Sequence, residues 1–175
     1  IGVRHQCNTE VCRMRVILDT DIGDDIDDAF ALALLLRLAE VRLEAVSIVH
    51  GAASARARVA LRMLAAAGRS DVPVHLGTAG KGDPTASPRY ASWAEDWRDT
   101  QIAEDEAAEM LARRVMEEPP GVLTLLAVGP LSNVARAFQA EPWVAGRLRR
   151  LVIMGGSVRL GYGPDSPPCV EHNIR

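Results

Sequence analysis

The 175-residue sequence has no apolar run near the roughly 18 residues that a bilayer-crossing helix needs, so no membrane partner is expected. It has no excess of positive charge. Lys and Arg number 20 against 23 Asp and Glu, a net charge of −3, which argues against nucleic acid or an anionic membrane surface as a partner. Cysteine is scarce: Cys7, Cys12 and Cys169 are odd in number and scattered. They form no disulfide framework, and a cytoplasmic setting is the expectation. His5, Cys7 and Cys12 have ligand character, but no second ligand pair follows at zinc-site spacing. Residues 1–14 lack the apolar stretch of a signal peptide and read as a flexible polar extension. Internal repeats and low-complexity tracts are missing too. What remains, 48% hydrophobic and 25% charged residues, suits one domain with a real core over residues 15–175.

Strand and helix signals alternate along that domain. Strands are expected at Val16–Leu18, Leu43–Val49, Val72–Leu76, Val122–Val128 and Leu151–Met154. Helices are expected at Ala29–Ala39, Ala55–Ala67, Glu104–Glu117 and from about Leu131. The first is apolar on nearly every side and reads as buried. In the second, Arg56, Arg58 and Arg62 read as solvated positions. Residues 77–101 form a long loop rich in Gly, Pro and Ser, the kind that is usually functional or disordered. The alternation predicts an α/β fold: a mostly parallel, doubly wound, Rossmann-like sheet with helices on both faces. Ligands of such sheets bind outside the carboxyl ends of the strands.

At the first of those ends stands RVILDTDIGDDIDDAFALALLL, residues 15–36, with six aspartates in ten positions. A helix N-terminus favours carboxylates by roughly 0.3–1 kcal/mol each, which accounts for Asp27 and Asp28 as cap and first-turn residues. It does not account for Asp19, Asp21, Asp24 and Asp25 as well. Several carboxylates gathered at one strand end need a cation or shared protons at pH 7. Oxygen donors select hard cations such as Ca²⁺ or Mg²⁺. The plain alternative is a solvated acidic turn.

DTDxG followed by DDA resembles the N-terminal signature of the inosine–uridine-preferring nucleoside hydrolase family. Residues 122–138, VLTLLAVGPLSNVARAF, are similar to that family's strand–GPLTN–helix segment. LRRLVIMGG at 148–156 resembles its next strand and glycine turn, and Glu171-His172-Asn173 stands where the family has Glu-Phe-Asn. The resemblance implies Ca²⁺-dependent hydrolysis of the N-glycosidic bond of a small-molecule ribonucleoside. By the same resemblance Asp21 and Asp28 are calcium ligands, Val128 donates its backbone carbonyl, and Asp19 supports the cluster. Asp27 is the general base. Glu171 and Asn173 hydrogen-bond the ribose, and Met154 joins them around the substrate; His50 either joins them too or is an ordinary turn histidine. The turn is two residues longer than the family's GxDDA form. Anchoring on the glycine instead of the helix makes Asp25 the base.

Other departures shape the expectations. Ala52 replaces a polar residue that often contacts ribose. Tyr90, Trp93 and Trp97 lie in the long loop where base recognition would fall, although Trp93 and Trp97 also have the i,i+4 spacing of helix packing. The family's chains are nearly twice as long, so the sequence reads as truncated at its C-terminus, either a fragment or a naturally short relative, with weak or absent activity, and as a homo-oligomer that covers the exposed apolar surface. Two rival readings stand beside this one. A haloacid-dehalogenase-type phosphatase also places DxD after a strand, its first Asp being the nucleophile, but GPLSN and EHN have no place there. The other is a non-catalytic sugar-binding or assembly domain.

Overall fold

The computed structural model describes residues 13–97, 102–161, 163 and 165–174. His5, Cys7 and Cys12 therefore lie outside the described residues. Five parallel strands form one sheet in the order β3-β2-β1-β4-β5: β1 Met14–Thr20, β2 Val41–Ile48, β3 Val74–Leu76, β4 Leu123–Ala127 and β5 Arg150–Ile153. The expected α/β architecture holds. The chain winds outward from β1 through β2 to β3, then returns to the other side of β1 for β4 and β5. The order therefore reverses between β1 and β4, which is where an open α/β sheet opens a crevice for ligands.

Among the described residues five α-helices accompany the sheet: α1 Ile26–Arg37, α2 Ala53–Ala66, α3 Ala107–Glu117, α4 Ser132–Ala140 and the single turn α5 Val144–Arg147. Neighbouring residues of β1 face opposite ways, as strand geometry requires. Leu18 enters a core with Leu32, Leu61 and Leu64, beside α1 and α2. Ile17 enters a second core with Met110, Leu111, Val134 and Val144, beside α3, α4 and α5. Both are fully buried, each worth about 1.5–3 kcal/mol of transfer free energy.

Three expectations need correction. Met14 is the first residue of β1, with its N–H on the Glu40 carbonyl, so the strand starts two residues before Val16 and takes in a residue expected outside the domain. β1 also runs two residues past Leu18, because Asp19 and Thr20 pair with Ser47 and Ile48 of β2. Most visibly, α1 is not a buried helix: it buries only Asp28 and Leu32, while Ile26, Phe30 and Leu34 are 56%, 66% and 58% exposed. These three sit four apart and form one row along the helix. An apolar composition on every side does not place a helix inside when only its sheet-facing side has neighbours.

Candidate functional site

The six aspartates do not converge; the fold distributes them. Asp19, inside β1, is completely buried. Its Oδ1 accepts the Ser47 hydroxyl at 2.5 Å and the Asn133 amide at 2.9 Å, whereas Oδ2 has no partner among the described residues. Burial therefore dominates and pushes its carboxyl up to about 7. Asp24 turns the other way. It takes the Arg56 guanidinium at 2.6 Å and the Arg89 N–H at 2.8 Å. Burial opposes its ionisation, but these donors outweigh it and hold the carboxyl below its ordinary value. Asp25 caps α1 without a side-chain cap bond and is exposed, as is Asp27. Asp28 is 6% exposed and receives the Thr20 hydroxyl.

Asp21 and Asp28 remain, both partly or fully buried and close enough for the Asp21 charge to act on Asp28. Burial raises both, Asp28 to about 7, and the Asp21 charge adds to the rise at Asp28. The charges of Arg56 and His50 moderate the rise at Asp21. The end of β4 closes against this pair. A Cβ on Gly129 would lie 2.8 Å from the Asp21 nitrogen and 2.9 Å from its Oδ1, so only glycine lets β4 approach the aspartate. Asn173 anchors the same edge. Its amide donates to the Val128 carbonyl at 2.8 Å and the Met154 carbonyl at 3.0 Å, tying β4 to β5, and its N–H reaches Glu171 at 2.8 Å.

The family described as inosine-uridine preferring nucleoside hydrolase matches residues 16–175. The chain belongs to this family. Among curated relatives it is 33% identical over 175 residues to a probable uridine nucleosidase 2 of Oryza sativa subsp. japonica, covering 91% of this chain and 50% of that one. It is 35% identical over 173 residues to the non-specific ribonucleoside hydrolase RihC of Salmonella paratyphi A, covering 92% and 54%. Among solved structures it matches a plant nucleoside hydrolase, the PpNRh1 enzyme, with TM-score 0.77 and 28% identity over 92% of this chain and 53% of that one. The chain thus spans about half the length of the curated relatives it matches. Membership leaves the phosphatase reading without support. The first aspartate, Asp19, is also sealed inside the sheet, where a phosphoryl nucleophile has no access.

Among the described residues, no three His, Cys, Asp or Glu side chains gather as a metal cage. The three expected donors, Asp21, Asp28 and the Val128 carbonyl, are hard oxygens, and burial together with the Asp21 charge makes ionised Asp28 costly, so a divalent cation suits their chemistry. The Val128 carbonyl accepts the Asn173 amide, and a carbonyl oxygen has a second lone pair to offer a cation.

His50 lies at the rim with φ 71°, its carbonyl held by Arg56 and its N–H on Thr78. Burial lowers its pKa, with the Asp21 charge opposing. Its ring meets His172 edge to face at 5.2 Å, and the two border a cavity of about 210 Å³ with Lys81, Pro130 and Ser132. Met154 is half exposed at the end of β5. The aromatics of the long loop lie elsewhere. Trp97 packs on the core of α1 and α2, while Tyr90 and Trp93 line an apolar groove of about 680 Å³ with Asp25 and Ile26, and Arg62 stacks on Trp93 at 4.7 Å.

Two residues that hold the site together were not singled out for it in the sequence. Asn133, within GPLSN, is fully buried and joins Asp19, the Ile48 carbonyl and the Thr78 N–H. Its place in the quoted motif was the available signal. Arg56 is 4% exposed, not solvated. No spacing rule marks it, because its partners come from two separate loops, the turn after β1 and the end of β2.

Proposed function

We propose that this domain carries the aspartate side of a ribonucleoside hydrolase site, with Ca²⁺ held by Asp21, Asp28 and the Val128 carbonyl and with Asp19 behind them. The observation that supports it is the Asp21–Asp28 pair at the reversal of strand order, while every other aspartate of the turn is buried elsewhere, ion-paired or exposed. Bound there, calcium would gather the sugar's vicinal hydroxyls and a water and make that water more acidic. The residues of the chain do the rest. Asp27, at the first turn of α1, takes a proton from the water as its oxygen bonds to the anomeric carbon. The C–N bond breaks, the base departs with the bonding pair, and the nearby carboxylates steady the positive charge building on the sugar. Glu171, Asn173, His50 and Met154 hold the ribose.

A second reading gives the proton to Asp21. It is favoured by the exposure of Asp27 against the central, half-buried Asp21, whose carboxyl burial raises. The Asp25 alternative has less support, because that carboxylate borders the apolar groove. The names of the relatives point to uridine among the substrates to try first. Release of base from uridine and inosine, with calcium and again with a chelator, tests the proposal; calcium-independent release would refute it. The same reading includes a homo-oligomer joined through the Ile26, Phe30 and Leu34 row, checked by sedimentation of wild type and Phe30→Asp. The exposed thiol of Cys169 suits a cytoplasmic setting, and no helix among the described residues is long and apolar enough to cross a membrane.

A further inference from the structure

The guanidinium of Arg56 is buried where three chain segments meet. Its Nε donates to the His50 carbonyl at the end of β2, at 2.9 Å. Its Nη1 donates to the carbonyls of Asp21 and, at 3.2 Å, Ile22, just past β1. Its Nη2 holds Asp24 at 2.6 Å, and Asp24 in turn receives the Arg89 N–H. The Tyr90 N–H donates to the Gly23 carbonyl at 2.7 Å, and a Cβ on Gly23 would lie 2.9 Å from Pro88, so this loop is seated directly on the aspartate turn. We infer that Arg56 is a positioning residue: its fork fixes the backbone that aims Asp21, and through Asp24 it locks the 88–90 loop onto that turn. Asp24 belongs to the stretch that makes this turn two residues longer than the common family form, which gives the added length a task.

Two physical effects of Arg56 have opposite signs at the site. As a nearby positive charge it opposes binding of a cation at Asp21 and Asp28. As a clasp it supports binding, because a rigid donor fork presets the carboxylate and Lys cannot reproduce that geometry. The calcium arm rests on the proposed function; the exchange arm does not.

The test uses the chain as it stands, with Arg56→Lys, Arg56→Gln and Asp24→Asn. Asp24 has a side chain 47% exposed, so its variant does not endanger folding. Amide hydrogen exchange, without metal, is expected to speed up at least tenfold at Arg89 and Tyr90 in all three variants, with β2 amides such as Val46 unchanged. Wild-type rates at Arg89 and Tyr90, or a rise spread evenly over the chain, would overturn the inference. Calcium calorimetry is expected to show about tenfold weaker binding in Arg56→Gln and Arg56→Lys. Tighter binding in Arg56→Gln would mean that Arg56 acts only through its charge and would overturn the clasp. If wild type takes up no calcium, the proposed function fails, while the exchange result still decides the role of Arg56.

Discussion

Replacing Asp19 by Asn should change the stability of this domain in a direction that reverses with pH. The carboxyl of Asp19 is pushed from its ordinary 3.8 up to about 7 by complete burial. A carboxyl raised on folding stabilises fully below its unfolded pKa, and that contribution is lost as pH climbs to the folded one. Between about pH 4 and pH 7 the native state keeps a proton that the unfolded chain has released, so stability falls by about 1.4 kcal/mol per pH unit, or about 4 kcal/mol over the range. Asn carries no titrating proton and keeps its oxygen for Ser47 and Asn133. Its NH₂ then occupies the place of the protonated Oδ2 and brings one more N–H than the single O–H it replaces, with no partner there among the described residues, at a cost of about 1–3 kcal/mol. Asp19→Asn should therefore be less stable than wild type by about 1–3 kcal/mol at pH 4 and more stable by a similar amount at pH 7.5. Asp28 titrates in both proteins and cancels in the difference. Urea unfolding at half-unit pH steps, with a calcium chelator present, measures this. A constant difference between the two proteins from pH 4 to 7.5 would refute the reasoning.

Gly129→Ala should keep the fold by circular dichroism and lose at least tenfold in calcium affinity by calorimetry, since its Cβ must displace Asp21. In a form of the protein with measurable turnover, Asp27→Asn should retain calcium and lose about 10²–10⁴-fold in kcat, as removal of a general base does. A crippled Asp25→Asn beside a normal Asp27→Asn would instead select the glycine-anchored register, and loss of rate confined to Asp21→Asn would select the second reading. Glu44 is buried among Arg15 at 2.6 Å, Arg114 at 2.8 Å and Arg42 at 3.1 Å. Glu44→Gln removes the buried negative charge those cations share, but Arg15 keeps Glu118 and all three reach solvent, so it should cost about 1–3 kcal/mol in urea unfolding.

The architecture was legible because strand and helix periods alternate without interruption, and the family was legible from four motifs in order. Strand ends were less so. Asp19 and Thr20 read as a polar turn, yet pairing with β2 draws them into the sheet. Pro73 shortens β3 to Val74–Leu76, because it has no N–H to give to the ladder. Composition could not show that α1 exposes a row of Ile26, Phe30 and Leu34, since burial depends on what else packs there. The aspartate cluster was read as a unit because all six lie within ten positions. Their division depends on residues far away in sequence: Asn133 for Asp19, Arg56 and Arg89 for Asp24. Asn173 shows the same limit, being recognisable as part of a motif while its grip on Val128 and Met154 is visible only in three dimensions.

The central claim is that Asp21 and Asp28, and not the aspartate cluster at large, hold a calcium ion. Isothermal calorimetry with calcium on wild type, Asp21→Asn, Asp28→Asn, Asp25→Asn and Asp27→Asn tests it most directly. Asp25 and Asp27 serve as controls because both are exposed on the same turn. The account predicts one calcium per wild-type chain, no detectable binding in the Asp21 and Asp28 variants, and near-normal binding in the other two. Equal binding in all five proteins, or loss only with Asp25 or Asp27, would contradict it.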